Sequence, residues 1–202
     1  MAIEKLLLPA IIESYERVKL IPNIIALKEN DIRNEFIKDF QQYNSILKDW
    51  VNNKSIWLGA ENQAYTDDYL KRTDIEIGCT FHEIYFVFEC KRLSSFESRY
   101  ICGKVVDGKY EIDGLEKFLH LAYSQKEDCA SMVAFIIKGN AESIFSKTKD
   151  KAELFNPSPS MGTVINNKCA DWLLSFQSSH IRIDKSHILL YHLFFDLQLS
   201  SV

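Results

Sequence analysis

At 202 residues, 47% of them hydrophobic, the chain can bury a sizeable core and reads as one domain, because a second independent unit would be cramped. A net charge of −4 and a pI near 5.8 argue against a coat protein held to nucleic acid by bulk charge, but are compatible with an enzyme whose basic residues line one groove. Seven glycines include no Gly-rich phosphate loop, and five cysteines without C-x-x-C spacing support neither zinc binding nor a disulfide framework.

The first expected element is a helix from Ala2 to about Val18, ending before Pro22 and packing on a sheet. Its apolar stretch Leu6 to Ile12 is short, interrupted by Pro9 and soon followed by Glu13, so neither a signal peptide nor a membrane span is expected and the protein is read as cytoplasmic. A second helix is signalled from Ile32 onward, where Phe36, Phe40, Tyr43, Leu47 and Trp50 recur at three- and four-residue steps. At about 100° per residue, Glu35 lies roughly 100° from the centre of that apolar face and Asp39 somewhat nearer, so both border the buried side.

Thr73 to Thr80 and Ile84 to Lys91 are rich in Ile, Phe, Tyr and Val, with His82-Glu83 between them as a turn, which predicts two antiparallel strands. Alternation puts Glu89 and Lys91 on one face and Phe88 and Cys90 on the other. Reflection about residue 82 pairs position 74 with about 90, so Asp74 is expected beside Glu89 and Lys91. Two carboxylates and a main-chain carbonyl can hold Mg²⁺, which takes hard oxygen ligands and keeps several waters. A neighbouring ammonium can then orient water or offset developing charge. On this reading Asp74 and Glu89 are the metal ligands and Lys91 the positioning group.

Residues 94 to 112 hold a Ser94-Ser95 loop and an Asp107-Gly108 hairpin signal. The segment 91 to 109 carries a net charge of +3, which suits phosphate contacts, with Arg92 and Arg99 the nearest candidates and Lys104 the next. Asp113-Gly114-Leu115-Glu116 reads as a helix start with an acidic cap, and Leu115, Phe118, Leu119, Ala122 and Tyr123 form one apolar face running to about Gln125. Ser131 to Ile137 is nearly continuous apolar sequence, as expected of a central strand covered on both faces. A helix around 140 to 154, a proline-bearing loop at 156 to 162, and a buried strand or short helix at 186 to 197 complete the chain. His180, His187 and His192 gather near the C-terminus; His187 and His192 should face opposite sides of a strand, in structural roles.

The run Arg72-Thr73-Asp74-Ile75-Glu76-Ile77, followed by Tyr85-Phe86-Val87-Phe88-Glu89-Cys90-Lys91-Arg92-Leu93, resembles the PD-(D/E)XK, or restriction-endonuclease-like, nuclease superfamily, with Thr73 at the position of the motif's proline. The resemblance covers about residues 30 to 138, in the order helix, strands, helix, strand. It implies an α/β fold with a mixed central sheet flanked by helices, an N-terminal helix and a C-terminal extension around that core. It also implies a Mg²⁺-dependent endo- or exodeoxyribonuclease, with Mn²⁺ substituting, that acts on nucleic acid, most naturally DNA, in defence, restriction or repair. Carried over residue by residue, Asp74, Glu89 and the main-chain carbonyl of Cys90 hold the metal, Lys91 serves the attacking water, and Glu35 is the assisting helix glutamate. The oligomeric state is left open, a dimer included. The alternative is a nuclease-like scaffold that binds nucleic acid or a protein partner without cutting.

Overall fold

The computed structural model describes residues 4–60, 63–66, 69–72, 74–79, 85–95, 98–122, 127–155, 163–165 and 168–200. Helices α1 (Glu4–Val18), α2 (Glu29–Gln42) and α3 (Lys48–Asn52) come first. Strands β1 (Ile56–Ala60), β2 (Gln63–Thr66), β3 (Tyr69–Arg72), β4 (Ile75–Cys79) and β5 (Tyr85–Leu93) follow. Next are β6 (Lys104–Val106), β7 (Lys109–Glu111), α4 (Leu115–Leu119), β8 (Cys129–Ile136) and α5 (Ala141–Leu154). Strands β9 (Thr163–Ile165), β10 (Ser175–Ile181) and β11 (His187–Asp196) follow, and after β11 comes a short 3-10 turn at Leu197–Ser200.

One mixed sheet organises the protein, in the order β1-β4-β5-β8-β11-β10, with the three-residue β9 added at the β10 edge to make seven strands. β5, β8 and β11 run parallel, and the remaining neighbours are antiparallel. Parallel neighbours need crossover connections, and the two here carry α4 and α5. Both helices pack on one face of the sheet, where Val87, Leu93, Met132, Ala134, Leu190 and Phe194 meet Leu115, Phe118 and Ile144. α1 and α2 cover the other face, where Phe86, Phe88, Cys90, Val133, Phe135 and Phe195 meet Leu8, Ile11, Ile32, Phe36 and Phe40. Phe36 stacks on Phe135 and Phe195 with ring centroids at 5.2 and 5.9 Å, and Tyr15 stacks on Phe195 at 4.6 Å. Each such ring withdrawn from water contributes about 1.5–3 kcal/mol. β8 is buried from Ala130 to Ile136, as its apolar run predicts.

The helix predicted from Ile32 through Trp50 is in fact two helices. α2 stops at Gln42, and the buried Asn44 makes the break: its Oδ1 accepts the Ile46 and Leu47 N–H groups, while its Nδ2 donates to the Ala10 carbonyl and Ser14 Oγ. Asparagine offers the backbone a local alternative to the helix ladder, and the bonds to α1 make that alternative win. α4 is also shorter than predicted, ending at Leu119 rather than near Gln125. Leu121 adopts φ 56°, Ala122 N–H bonds the Lys117 carbonyl and Leu121 N–H that of Phe118, which is the left-handed close that stops a helix. Tyr123, the loop at 156 to 162 and the turn at His82-Glu83 lie outside the described residues. The 186 to 197 segment is a strand, parallel to β8. The Asp107-Gly108 turn joins β6 to β7 with φ of 49° and 76°, the paired positive values of a tight hairpin. Among the described residues no helix is long and apolar enough to cross a membrane.

Candidate metal centre

The β4–β5 register aligns Ile75 with Phe88, so Asp74, one residue ahead of β4, stands opposite Glu89. That is one position from the simple reflection. Asp74 Oδ2 nevertheless accepts the Cys90 N–H at 2.6 Å, and Oδ1 accepts Arg33 Nη1 from α2 at 2.7 Å. The cause is the shape of the sheet: β5 continues beyond the start of β4, leaving an edge whose amides need acceptors. Asp74 takes the Cys90 amide, and Glu29 Oε2, from the first turn of α2, takes the Arg92 amide at 2.6 Å. In an extended strand the carbonyl of a residue projects to the same side as its N–H, which brings the Cys90 carbonyl to the Asp74 edge.

Alternation delivers Glu89 and Lys91 to the opposite face from Phe88 and Cys90, as predicted. Glu89 is fully buried, and its Oε1 accepts Lys91 Nζ at 2.6 Å and Lys117 Nζ, from α4, at 2.8 Å. Its other oxygen, Oε2, is buried without a hydrogen-bond partner. Asp113 Oδ1, at the entrance to α4, lies 3.0 Å from Lys91 Nζ and 3.5 Å from Lys117 Nζ. Three carboxylates (Asp74, Glu89, Asp113) thus face three cations (Arg33, Lys91, Lys117).

Electrostatics divides the acids. Burial, reinforced by the charge of Glu89, pushes the Asp74 carboxyl up to about 7 against the opposing pull of Lys91 and the Cys90 amide. Burial also opposes ionisation of Glu89 and Asp113, but Lys91 and Lys117 outweigh it and hold both below their ordinary values. Burial works against the Lys91 ammonium as well; Glu89, Asp74 and Asp113 overcome it, so Lys91 stays charged far above neutrality. The Cys90 thiol is pushed up by burial and is chemically inert as an acid.

Glu35 belongs to a different part of the molecule. It sits 3.6 Å from Lys38 and lines a cavity of about 340 Å³ with Arg17, Val18, Ile21, Asp39 and Tyr43. Asp39 is bound there by Ser14 Oγ at 2.5 Å and by the Arg17 guanidinium at 2.7 Å. Two residues along a helix is about 200°, so a helix that presents Arg33 to the strand ends turns Glu35 away from them. The α2 residues that meet the motif are Glu29 and Arg33. Asp113 and Lys117 are the other members that sequence reasoning misses; their i, i+4 spacing is a visible signal, but Asp113 in the sequence equally fits an acidic cap. Gly114 holds the cap position instead, with φ 57° and no side-chain bond, and Glu116 accepts the Gly103 amide and the Tyr110 hydroxyl.

Of the predicted phosphate contacts, Arg92 donates to the Ile25 carbonyl at 3.0 Å, and Arg99 donates to the Arg92 carbonyl at 2.9 Å and lies 3.9 Å from Glu29. Both guanidinium groups brace the backbone beside the cluster. Lys104 is exposed on the β6–β7 hairpin. His187 is exposed and His192 buried, on opposite faces of β11 as predicted. His192 joins Tyr100, Ser178 and His180 in a buried chain: Tyr100 Oη to His192 Nδ1 is 3.2 Å, His192 Nε2 to Ser178 Oγ 2.7 Å, and Ser178 Oγ to His180 Nε2 2.7 Å. All five cysteines are free thiols.

Among the described residues no three His, Cys, Asp or Glu side chains form a ready-made metal cage. Mg²⁺ does not require one, since it is commonly held by one or two carboxylates and retains water. Glu89 Oε2, on the strand position opposite Asp74, is a buried oxygen without a hydrogen-bond partner and so a donor left open to a cation. The donor set therefore fits a hard divalent cation. Comparison of the chain with protein-family models, with curated proteins and with solved structures finds no match.

Proposed function

We propose that the protein is a divalent-metal-dependent nuclease that hydrolyses phosphodiester bonds in DNA, on a restriction-endonuclease-like core formed by α2, β4, β5, α4 and β8. The observation that carries this reading is Glu89: a fully buried carboxylate with one oxygen bound by lysines and the other unpartnered, beside Asp74. Asp74, Glu89 and the Cys90 carbonyl are the groups that would hold Mg²⁺ or Mn²⁺. The bound ion would supply polarisation of a phosphoryl oxygen and a more acidic water.

The chain's own contribution is positioning and fixed charge. Lys91 is an ammonium locked between Glu89 and Asp113, so it orients water and offsets charge on the phosphate instead of accepting a proton. Arg33 and the Cys90 amide hold Asp74 in place, which sets its angle to Glu89. Arg92 and Arg99 stiffen the turn after β5, and Lys104 reaches outward for the phosphate backbone. The test is incubation with plasmid, linear and single-stranded DNA plus Mg²⁺ or Mn²⁺, alongside Asp74→Ala and Lys91→Ala. Cleavage by the parent chain that is lost in both variants supports the proposal; cleavage that survives in both defeats it.

A second reading is a nuclease-like scaffold that binds nucleic acid or a protein partner without cutting. It is favoured by the balance of the cluster: both Asp74 oxygens and Glu89 Oε1 are already engaged, so the charges close without an added ion. Calorimetry with Mn²⁺ separates the two readings, since the scaffold has no need of the ion.

A further inference from the structure

Two ammonium groups converge on one oxygen of Glu89, and they are not held alike. Lys91 rises from β5 with its side chain 7% exposed, bonded to Glu89 Oε1 at 2.6 Å and 3.0 Å from Asp113 Oδ1. Burial and two carboxylate partners hold it in place. Lys117 approaches from α4 with its side chain 22% exposed, 2.8 Å from the same Glu89 oxygen and 3.5 Å from Asp113, its i, i+4 neighbour. A lysine stem is flexible and its ammonium strongly hydrated, so the more exposed Lys117 is the one of the two with a path toward solvent and Asp113.

Charge makes that movement matter. Arg33, Lys91 and Lys117 are set against Asp74, Glu89 and Asp113, and a divalent ion arriving at Asp74 and Glu89 would meet two ammonium groups at Glu89. Lys91, the more buried of the two, is the less free to yield. We infer that Lys117 is a place-holding cation: it occupies Glu89 until a divalent ion loads, then moves to Asp113 at the mouth of the site, where an incoming phosphate would meet it. This rests on the metal-dependent reading above and adds to it a competition between one side chain and the ion. Asp113 is then the second berth that keeps the displaced ammonium at the site.

Two measurements on the intact chain at fixed pH test this. Calorimetric titration with Mn²⁺ compares the parent chain with Lys117→Met, which keeps the aliphatic stem, and Lys117→Arg, which keeps the charge. The Met variant should bind the ion about ten-fold more tightly or better, because a unit charge a few ångströms from a divalent ion in a buried site weighs heavily; the Arg variant should bind no more tightly than the parent. Independently, amine acylation read by mass spectrometry should label Lys117 several-fold faster in saturating Mg²⁺ than without it, while Lys91 labelling stays low in both. Mn²⁺ binding only after Lys117→Met also supports the inference. If the parent chain binds Mn²⁺ but Lys117→Met binds it no more tightly, or Lys117 labelling ignores the cation, the place-holder is overturned and the metal-dependent reading stands. If the parent and both variants fail to bind Mn²⁺, the metal-dependent reading falls and the place-holder with it.

Discussion

Acidification should destabilise this protein through His180, by an amount that can be worked from its surroundings. His180 is 1% exposed, its Nε2 lies 2.7 Å from Ser178 Oγ, and its Nδ1 is buried without a partner. Protonation would place a charge on that ring with only a hydroxyl to receive it, and burial accordingly pushes its pKa down to about 4. The folded chain therefore binds fewer protons than the unfolded one in this range, so the contribution is complete above the ordinary value of 6.5 and is lost as pH falls through about 4. At about 1.36 kcal/mol per pH unit between those values, the loss from pH 7 to pH 4 is about 3 kcal/mol. His192, stacked on Phe176 with centroids 4.1 Å apart, is pushed in the same direction by burial and by His180. Asp74 opposes them: its raised pKa of about 7 means that its contribution is full below its ordinary value and lost as pH rises through 7. Urea unfolding of the parent chain and His180→Gln at several values from pH 7 to pH 4 removes that complication, because Asp74 is common to both and glutamine can still donate to Ser178. The stability difference between the two should move by about 3 kcal/mol in favour of the variant on acidification. A difference that stays flat across the range would refute the assignment of a buried, neutral His180.

Glu89→Ala should cost about 3–5 kcal/mol in urea or thermal unfolding, because it leaves Lys91 and Lys117 without their shared buried acceptor, and a loss below about 1 kcal/mol would contradict the buried pair; replacing Glu89 and Lys91 together by methionine should recover much of the loss. Asn44→Ala removes two acceptor and two donor bonds at a fully buried position and should cost about 2–3 kcal/mol, with faster amide exchange at Ile46 and Leu47 as the local signature. Gly114→Ala should destabilise by about 1–3 kcal/mol and lower Mn²⁺ affinity as well. An added Cβ there would run into the carbonyl oxygens of Arg99 and Tyr100 at φ 57°, and relieving that contact shifts the start of α4, which carries Asp113 and Lys117 toward Glu89. Unchanged thermal stability in Gly114→Ala would show that the turn tolerates a side chain.

Short-range rules determined much of what sits at the strand ends. The two-residue period of β5 alone puts Glu89 and Lys91 on one face and Phe88 and Cys90 on the other, and the hydrophobic run of β8 is legible because a strand covered on both faces has no polar side. The Asp107-Gly108 hairpin follows from the positive φ values that such a turn needs. Asp74 near the end of β5 follows from hairpin reflection to within one residue. The strands β1 and β10 carried no comparable signal. β1 is an edge strand with Trp57 exposed, and the buried positions of β10 include the polar Ser175, Ser178 and His180.

What the tertiary structure alone decided is which charges meet. Periodicity places polar residues on both sides of the α2 stripe, Arg33 on one and Glu35 and Asp39 on the other, and nothing local distinguishes them. The docking of α1 does: Ser14 and Arg17 claim Asp39, and the opposite flank turns to the strand ends. The bonds that assemble the cluster span 16 residues from Asp74 to Cys90, 28 from Glu89 to Lys117 and 41 from Arg33 to Asp74. Propensity and periodicity act within a few residues, whereas Coulomb attraction in a buried site depends on distance through space, so the sequence by itself determined the faces of each element and the fold determined their company.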